Sequence, residues 1–193
     1  LKLLNHYEIQ KSLVSFHQHN EQDRENRVLQ DLRDGKEIAL ISDAGTPLIS
    51  DPGFLLVKAC REASLPVTAI PGASSLLVAL SLSGLEPTPF QFVGFLPRKS
   101  GELTTALEGL LDYPGTSICY ESPERLTACL KILAELDPNC KISIARELTK
   151  RFESVLTGTA EELLASQLAT AAIGEIVLLI EGKKSVEESI FSR

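Results

Sequence analysis

The run Asp43-Ala-Gly-Thr-Pro-Leu-Ile-Ser-Asp-Pro-Gly53 carries the densest chemistry in the sequence. Carboxylates and hydroxyls sit there among glycines free to take positive φ and prolines of fixed φ. That is the composition of a rigid loop that presents backbone N–H groups to a ligand. A second run, Ile70-Pro-Gly-Ala-Ser-Ser75, repeats the device at shorter length. Two such turns at successive strand ends would give several converging N–H donors. They would equally serve as plain strand-to-helix connections, because most loops of this kind bind nothing. Asp43, Glu121, Glu147 and Glu175 stand at the ends or starts of apolar runs, where the border of a cleft and a solvated strand end read alike. His17 and His19 alternate and would share a face, but no third metal ligand lies near them, so hydrogen bonding or plain exposure is the expectation. The sequence holds no G-x-x-x-x-G-K-[ST] phosphate loop, no G-x-G-x-x-G fingerprint and no G-x-S-x-G nucleophile elbow.

Regular elements must position these residues. Ile38 to Ile41 suits a buried strand of a parallel sheet, and Asp51-Pro52 supplies an N-cap and first-turn proline for the helix after the loop. Upstream, Leu1 to Tyr7 reads as the end of a helix and Ser12 to Phe16 as a strand. Asn20-Glu-Gln-Asp23 has the spacing of a capping box, opening a helix that stops at Gly35. Downstream come a helix with the stripe Leu55, Leu56, Ala59, Cys60 and Ala63, a strand at Val67 to Ile70, and a helix from Ser74-Ser75 to Gly84. Leu85-Glu-Pro-Thr-Pro89 has the composition of a stiff linker. It divides an N-terminal α/β domain, residues 1–86, from a C-terminal one, residues 87–193. The second half predicts strands at Phe90 to Phe95, Thr116 to Tyr120, Lys141 to Arg146, Phe152 to Leu156 and Gly174 to Gly182. Helices are expected at Leu103 to Leu111, after Pro123, and after the capping box Thr159-Ala-Glu-Glu162, with Lys183 to Arg193 as a polar helix or tail.

With 193 residues, 44% of them hydrophobic, the chain can build one large core or two small ones. A net charge of −7 argues against general nucleic-acid affinity while leaving room for a local site. Basic residues gather at Arg98-Lys99, Lys150-Arg151 and Lys183-Lys184, each of which would also suit an ordinary solvated face. Cys60, Cys119, Cys129 and Cys140 lack C-x-x-C spacing. Buried free thiols in a reducing cytosol are therefore expected rather than disulfides or zinc, with no metal and a cytoplasmic location. No apolar run is long enough to cross a bilayer. The first residue is Leu and Met is absent, so a piece of a longer product is expected.

Six ordered motifs add a resemblance. The two runs quoted first, with Gly94-Phe-Leu-Pro-Arg-Lys99, Tyr120-Glu-Ser-Pro-Glu-Arg-Leu126, Ala145-Arg-Glu-Leu-Thr-Lys150 and Gly174-Glu-Ile-Val177, closely resemble the ribosomal RNA small subunit methyltransferase I family of the tetrapyrrole-methylase superfamily. The likeness runs through about Gly182. It implies two α/β domains of the tetrapyrrole-methylase (class III methyltransferase) type with the cofactor cleft between them. It implies S-adenosyl-L-methionine as cofactor, 2′-O-methylation of a cytidine ribose in the decoding region of 16S rRNA in the small ribosomal subunit, and a homodimer. Its implied cofactor contacts are Asp43, Gly45, Thr46, Pro47 and Ile49, with Thr46 where many relatives have Asp, then Ser74 and Ser75, and finally Tyr120, Ala145, Gly174 and Glu175. Arg98, Lys99, Arg125, Lys150 and Arg151, placed on loops or helix starts, are candidate RNA-phosphate contacts. The acceptor of the ribose proton stays open among Glu121, His17 and Lys150. Rival readings are a methylase of the same superfamily acting on a tetrapyrrole or diphthamide precursor, and a non-catalytic binding or dimerisation fragment. Members of the family normally begin with a strand, an A-T-P-I-G-N-L-type loop and an E-D-T-R segment, and carry a small helical region after the second domain. None of these is found in this sequence.

Overall fold

A computed structural model describes residues 2–17, 20–166 and 174–183. His19, Lys184 and the rest of the expected polar tail lie outside the described residues. The chain divides into two compact units, Leu1–Gly72 and Ala73–Arg193.

The first unit holds helices α1 (Lys2–His6), α2 (Glu21–Arg33) and α3 (Phe54–Glu62). Val28 and Leu29 of α2 meet Leu56 and Cys60 of α3, with Phe16, Leu32 and Val67 packed around them. Helix α2 starts after Asn20 as expected, but its capping box does not form. Asn20 does not cap α2; its side chain turns back, its Oδ1 accepting the His17 N–H at 2.8 Å and its amide donating to the Ser15 carbonyl at 3.1 Å. Helix α3 starts after Gly53, whose φ of +124° suits glycine, rather than at Asp51-Pro52. Its start is closed from α2: the buried Glu21 carboxylate accepts the N–H groups of Gly53 and Leu55, both at 3.1 Å. The runs expected as strands at Ser12 to Phe16, Ile38 to Ile41 and Val67 to Ile70 are irregular, and Ile38, Ile41 and Ile70 are exposed. Strands need a neighbour to take up their backbone groups, and among the described residues of this unit none is paired.

The second unit is a five-stranded sheet with helices on both faces. Its elements are α4 (Ser75–Ser83), β1 (Phe90–Phe95), α5 (Ser100–Leu111), β2 (Thr116–Glu121), α6 (Pro123–Leu136), β3 (Lys141–Arg146), β4 (Ser154–Thr159), α7 (Ala160–Ala165) and β5 (Ile176–Glu181). The order across the sheet is β1-β2-β5-β3-β4; β1 and β2 are parallel and every other pairing is antiparallel. Strand alternation divides β5 cleanly. Leu178 and Ile180 enter the core with Leu107, Leu126, Leu130, Leu133, Ile142 and Ile144, whereas Val177 and Leu179 face Leu76, Ala79 and Leu80 of α4. Pro123 opens α6, and the Thr159 capping box forms as expected. Helix α4, ahead of the proline-rich segment, packs on this sheet. The Thr157 hydroxyl donates to the Ser83 carbonyl at 2.7 Å and the Thr116 hydroxyl to the Glu86 carbonyl at 2.6 Å. At Gly182 a Cβ would stand 1.7 Å from the Tyr113 carbonyl oxygen, so only glycine fits there. All four cysteines are free and buried.

Candidate functional site

Strand register converts distant motifs into one row. Phe95 pairs with Tyr120, Tyr120 with Val177, Val177 with Ala145, and Ala145 with Val155, so one line crosses all five strands. Two residues assigned by resemblance, Tyr120 and Ala145, share that line. Ser75, in the first turn of α4, joins them: its hydroxyl and that of Tyr120 are 2.9 Å apart. Ser74 is the N-cap of α4 with no side-chain cap of its own. The rings of Phe92 and Phe95 lie edge-on to Tyr120, with centroids 4.9 and 5.6 Å away. A hydroxyl pair at a helix start bordered by aromatic edges suits a flat polar ligand; Ala145 lies two strands along the row, fully buried in the core with α4.

The turns at the same end of the sheet are locked together. The Glu147 N–H donates to the Glu175 carbonyl at 3.0 Å, and the Glu175 N–H donates to Glu147 Oε1 at 2.9 Å. The Lys150 ammonium bridges both carboxylates, 2.9 Å from each. The Glu175 N–H and then Lys150 hold the Glu147 carboxyl below its ordinary value, while Glu147 and then Glu175 push Lys150 up. Lys150 therefore stays protonated near neutrality and is no proton acceptor there. Glu147 and Thr149 both have positive φ, +50° and +65°. Gly174, with φ +121°, has no room for a Cβ, which would meet Glu147 Cγ at 2.8 Å. Nothing in the local sequence announces this clamp; a signal was Glu147 lying inside a motif shared with a known family.

Of the other ionisable candidates, Glu121 is buried and engaged. It accepts the Ser122 N–H at 2.7 Å, meets Arg125 at 3.1 Å, and lies 3.6 Å from the Cys129 thiol. Burial and Glu121 push that thiol up to about 12. Arg125 also donates to the carbonyls of Leu96 and Pro97, bracing the loop after β1. Arg98, Lys99 and Arg151 are exposed, with Lys99 paired to Glu102 at 2.9 Å. His17 is in the first unit, its Nε2 3.1 Å from the Asn20 amide nitrogen.

The Asp43-to-Gly53 loop also belongs to the first unit. The Ser42 hydroxyl bonds the carbonyls of Ala44 and Gly45, both at 3.1 Å. Gly45, Leu48, Ser50 and Gly53 all have positive φ. For Leu48 and Ser50 that is a strained state which surrounding structure must impose. Asp43, Gly45, Thr46 and Ile49 are exposed and Pro47 is half-buried.

Comparison with known proteins gives the family and the fold. The description "Tetrapyrrole (Corrin/Porphyrin) Methylases" fits residues 1–164. Ribosomal RNA small subunit methyltransferase I of Xylella fastidiosa is 45% identical over 185 residues, 94% of this chain and 67% of that protein. The chain belongs to the ribosomal RNA small subunit methyltransferase I branch of the tetrapyrrole methylase family. Its counterpart from Halalkalibacterium halodurans is 44% identical over 181 residues, 94% of this chain and 63% of that one. The chain thus spans about two thirds of the length of these relatives. Uroporphyrin-III C-methyl transferase from Thermus thermophilus, complexed with S-adenyl homocysteine, superposes with a TM-score of 0.54 at 19% identity over 85% of this chain and 74% of that one. At that identity the likeness carries the tetrapyrrole methylase fold.

Proposed function

We propose that this chain belongs to a methyltransferase that uses S-adenosyl-L-methionine to methylate the 2′-oxygen of a cytidine ribose in the decoding region of 16S rRNA. The observation that carries it is the convergence of Ser75, Tyr120, Ala145, Gly174 and Glu175 at one end of the sheet, in a chain 45% identical to a ribosomal RNA methyltransferase. The residues fit the cofactor: the Glu175 carboxylate, 78% exposed, can attract a cation or accept from ribose hydroxyls. When bound, S-adenosyl-L-methionine supplies an electrophilic methyl group on a sulfonium. Ser75 and Tyr120 orient that ligand by hydrogen bonds, Phe92 and Phe95 border it, and Glu147 with Lys150 keeps Gly174 and Glu175 in place. Asp43, Gly45, Thr46, Pro47, Ile49 and Ser74 are proposed as cofactor contacts on the resemblance alone. Arg98, Lys99 and Arg151 are the proposed phosphate contacts, with Arg125 and Lys150 acting through the loops they hold. A cytoplasmic homodimer belongs to the same proposal; among the described residues, no helix is long and apolar enough to cross a membrane.

Labelled-methyl transfer to small ribosomal subunits, naked rRNA and a uroporphyrinoid in parallel tests the reading. The expected product is RNA resistant to alkaline cleavage at one cytidine, since a methylated 2′-oxygen cannot attack the adjoining phosphate. Label on the tetrapyrrole would select the rival acceptor. Absent binding heat with the methyl donor would select the non-catalytic reading.

A further inference from the structure

The sheet order puts β1 and β4 on opposite edges, and strand pairing brings the end of β1 and the start of β4 to the same end. Phe95 closes β1, and Phe152 lies just ahead of β4. Their side chains are 65% and 67% exposed, unusual for phenylalanine. Each has basic residues close by in sequence. Arg98 and Lys99 follow Phe95, and the Arg151 guanidinium sits 5.5 Å from the centre of the Phe152 ring. The four interstrand spacings from β1 to β4 amount to about 19 Å; Tyr120 and Ala145 lie in the row of Phe95, and Phe152 stands three residues before Val155, the β4 member of that row.

One exposed ring is ordinary surface. Two exposed rings at opposite edges of one end of the sheet, one stacked with a guanidinium and the other followed within four residues by Arg98 and Lys99, in a chain of net charge −7, call for a ligand that is both polyanionic and built of flat π faces. Single-stranded nucleic acid has both properties, whereas a duplex hides its base faces in its own stack. We infer that a single-stranded RNA segment crosses this end of the sheet. One base stacks on Phe95 and another on the Phe152–Arg151 pair, and the phosphates lie against Arg98, Lys99 and Arg151. This inference rests on the proposed RNA substrate and adds the strandedness of the bound segment, its direction across the sheet, and two aromatic contacts.

Fluorescence anisotropy of the full chain with a labelled 12-nucleotide oligocytidylate, against a 12-base-pair RNA duplex, tests it. The single strand should bind more tightly. Phe95→Ala and Phe152→Ala should each weaken binding about 5- to 150-fold while keeping the slope of log affinity against log salt. Arg98→Gln and Arg151→Gln should each flatten that slope by about 0.7. Phe95→Leu keeps apolar bulk without a π face and should behave like Phe95→Ala. Circular dichroism of the variants should match the parent, and the urea midpoint should match for Phe152→Ala and fall slightly for Phe95→Ala and Phe95→Leu, which lose the edge contact with Tyr120. Parent-like binding by the alanine and leucine variants, equal binding of the duplex, or no binding of the oligomer by the parent overturns the inference. Methyl transfer to small ribosomal subunits on the same preparations separates the two readings. Transfer that persists unchanged in the phenylalanine variants rejects the track and leaves the function. Oligomer binding as expected with no transfer leaves the track and rejects the function.

Discussion

Replacing Glu21 examines how the first unit holds its glycine-rich loop. The Glu21 carboxylate is buried and accepts two N–H groups at the start of α3, from Gly53 and Leu55, each at 3.1 Å. A hydrogen bond to a charged group contributes about 1.5–3 kcal/mol, and 3.1 Å is long for such bonds, which favours the lower figure. A negative charge at a helix start adds about 0.3–1 kcal/mol. In Glu21→Ala both bonds go, but the half-buried Leu55 N–H recovers part of its loss from water. The buried Gly53 N–H does not. The expected net loss is about 2–3 kcal/mol. Glu21→Gln keeps an acceptor and gives up the charge, so about 1 kcal/mol is expected. Native-state amide exchange is the suitable assay, because it reads Gly53 and Leu55 individually. Their protection should fall about 30- to 150-fold in the alanine variant and about fivefold in the glutamine variant. The strained Leu48 and Ser50 amides should exchange faster as well. Protection within twofold of the parent in Glu21→Ala would show that α3 is held by its apolar contacts alone and refute the reasoning.

Three further outcomes follow from the second unit. Tyr120→Phe removes the hydroxyl bonded to Ser75; it should lower stability by about 0.5–1.5 kcal/mol and weaken methyl-donor binding in calorimetry, whereas unchanged affinity would remove Tyr120 from the site. Gly182→Ala forces a Cβ onto the Tyr113 carbonyl and should cost about 3 kcal/mol or more in urea unfolding; a loss under about 1 kcal/mol would contradict the packing described. The Glu147–Lys150–Glu175 clamp should be insensitive to pH near neutrality. The lowered Glu147 pKa gives a contribution present above the ordinary glutamate range and lost as pH falls through the lowered value. The raised Lys150 pKa gives one present below the ordinary lysine value and lost as pH rises through the raised value. Exchange of the Glu175 amide, corrected for base catalysis, should therefore stay flat from about pH 6 to 9, and a sloping profile would count against the clamp.

The second unit was largely legible in advance. Its strand at Lys141–Arg146, its Pro123 helix start and its Thr159 capping box occur where period and cap chemistry put them. Those signals are local, set by neighbours within a turn or a strand. The same signals misled in the first unit. Ile38 to Ile41 and Val67 to Ile70 have the composition of strands but no ladder, since a strand's backbone bonds belong to a partner that propensity cannot supply. Asp51-Pro52 and Asn20 are good cap residues passed over for a remote carboxylate and a backward turn. For the site, the sequence by itself determined which residue types are present and in which motifs they stand. Only the tertiary structure decided that Phe95, Tyr120 and Ala145 share one row, that Ser75 reaches Tyr120, and that Glu147 is bound to Glu175 through Lys150. The physical reason is that register and side-chain pairing couple residues tens of positions apart, and the free energy of such contacts has no counterpart in any short stretch of chain.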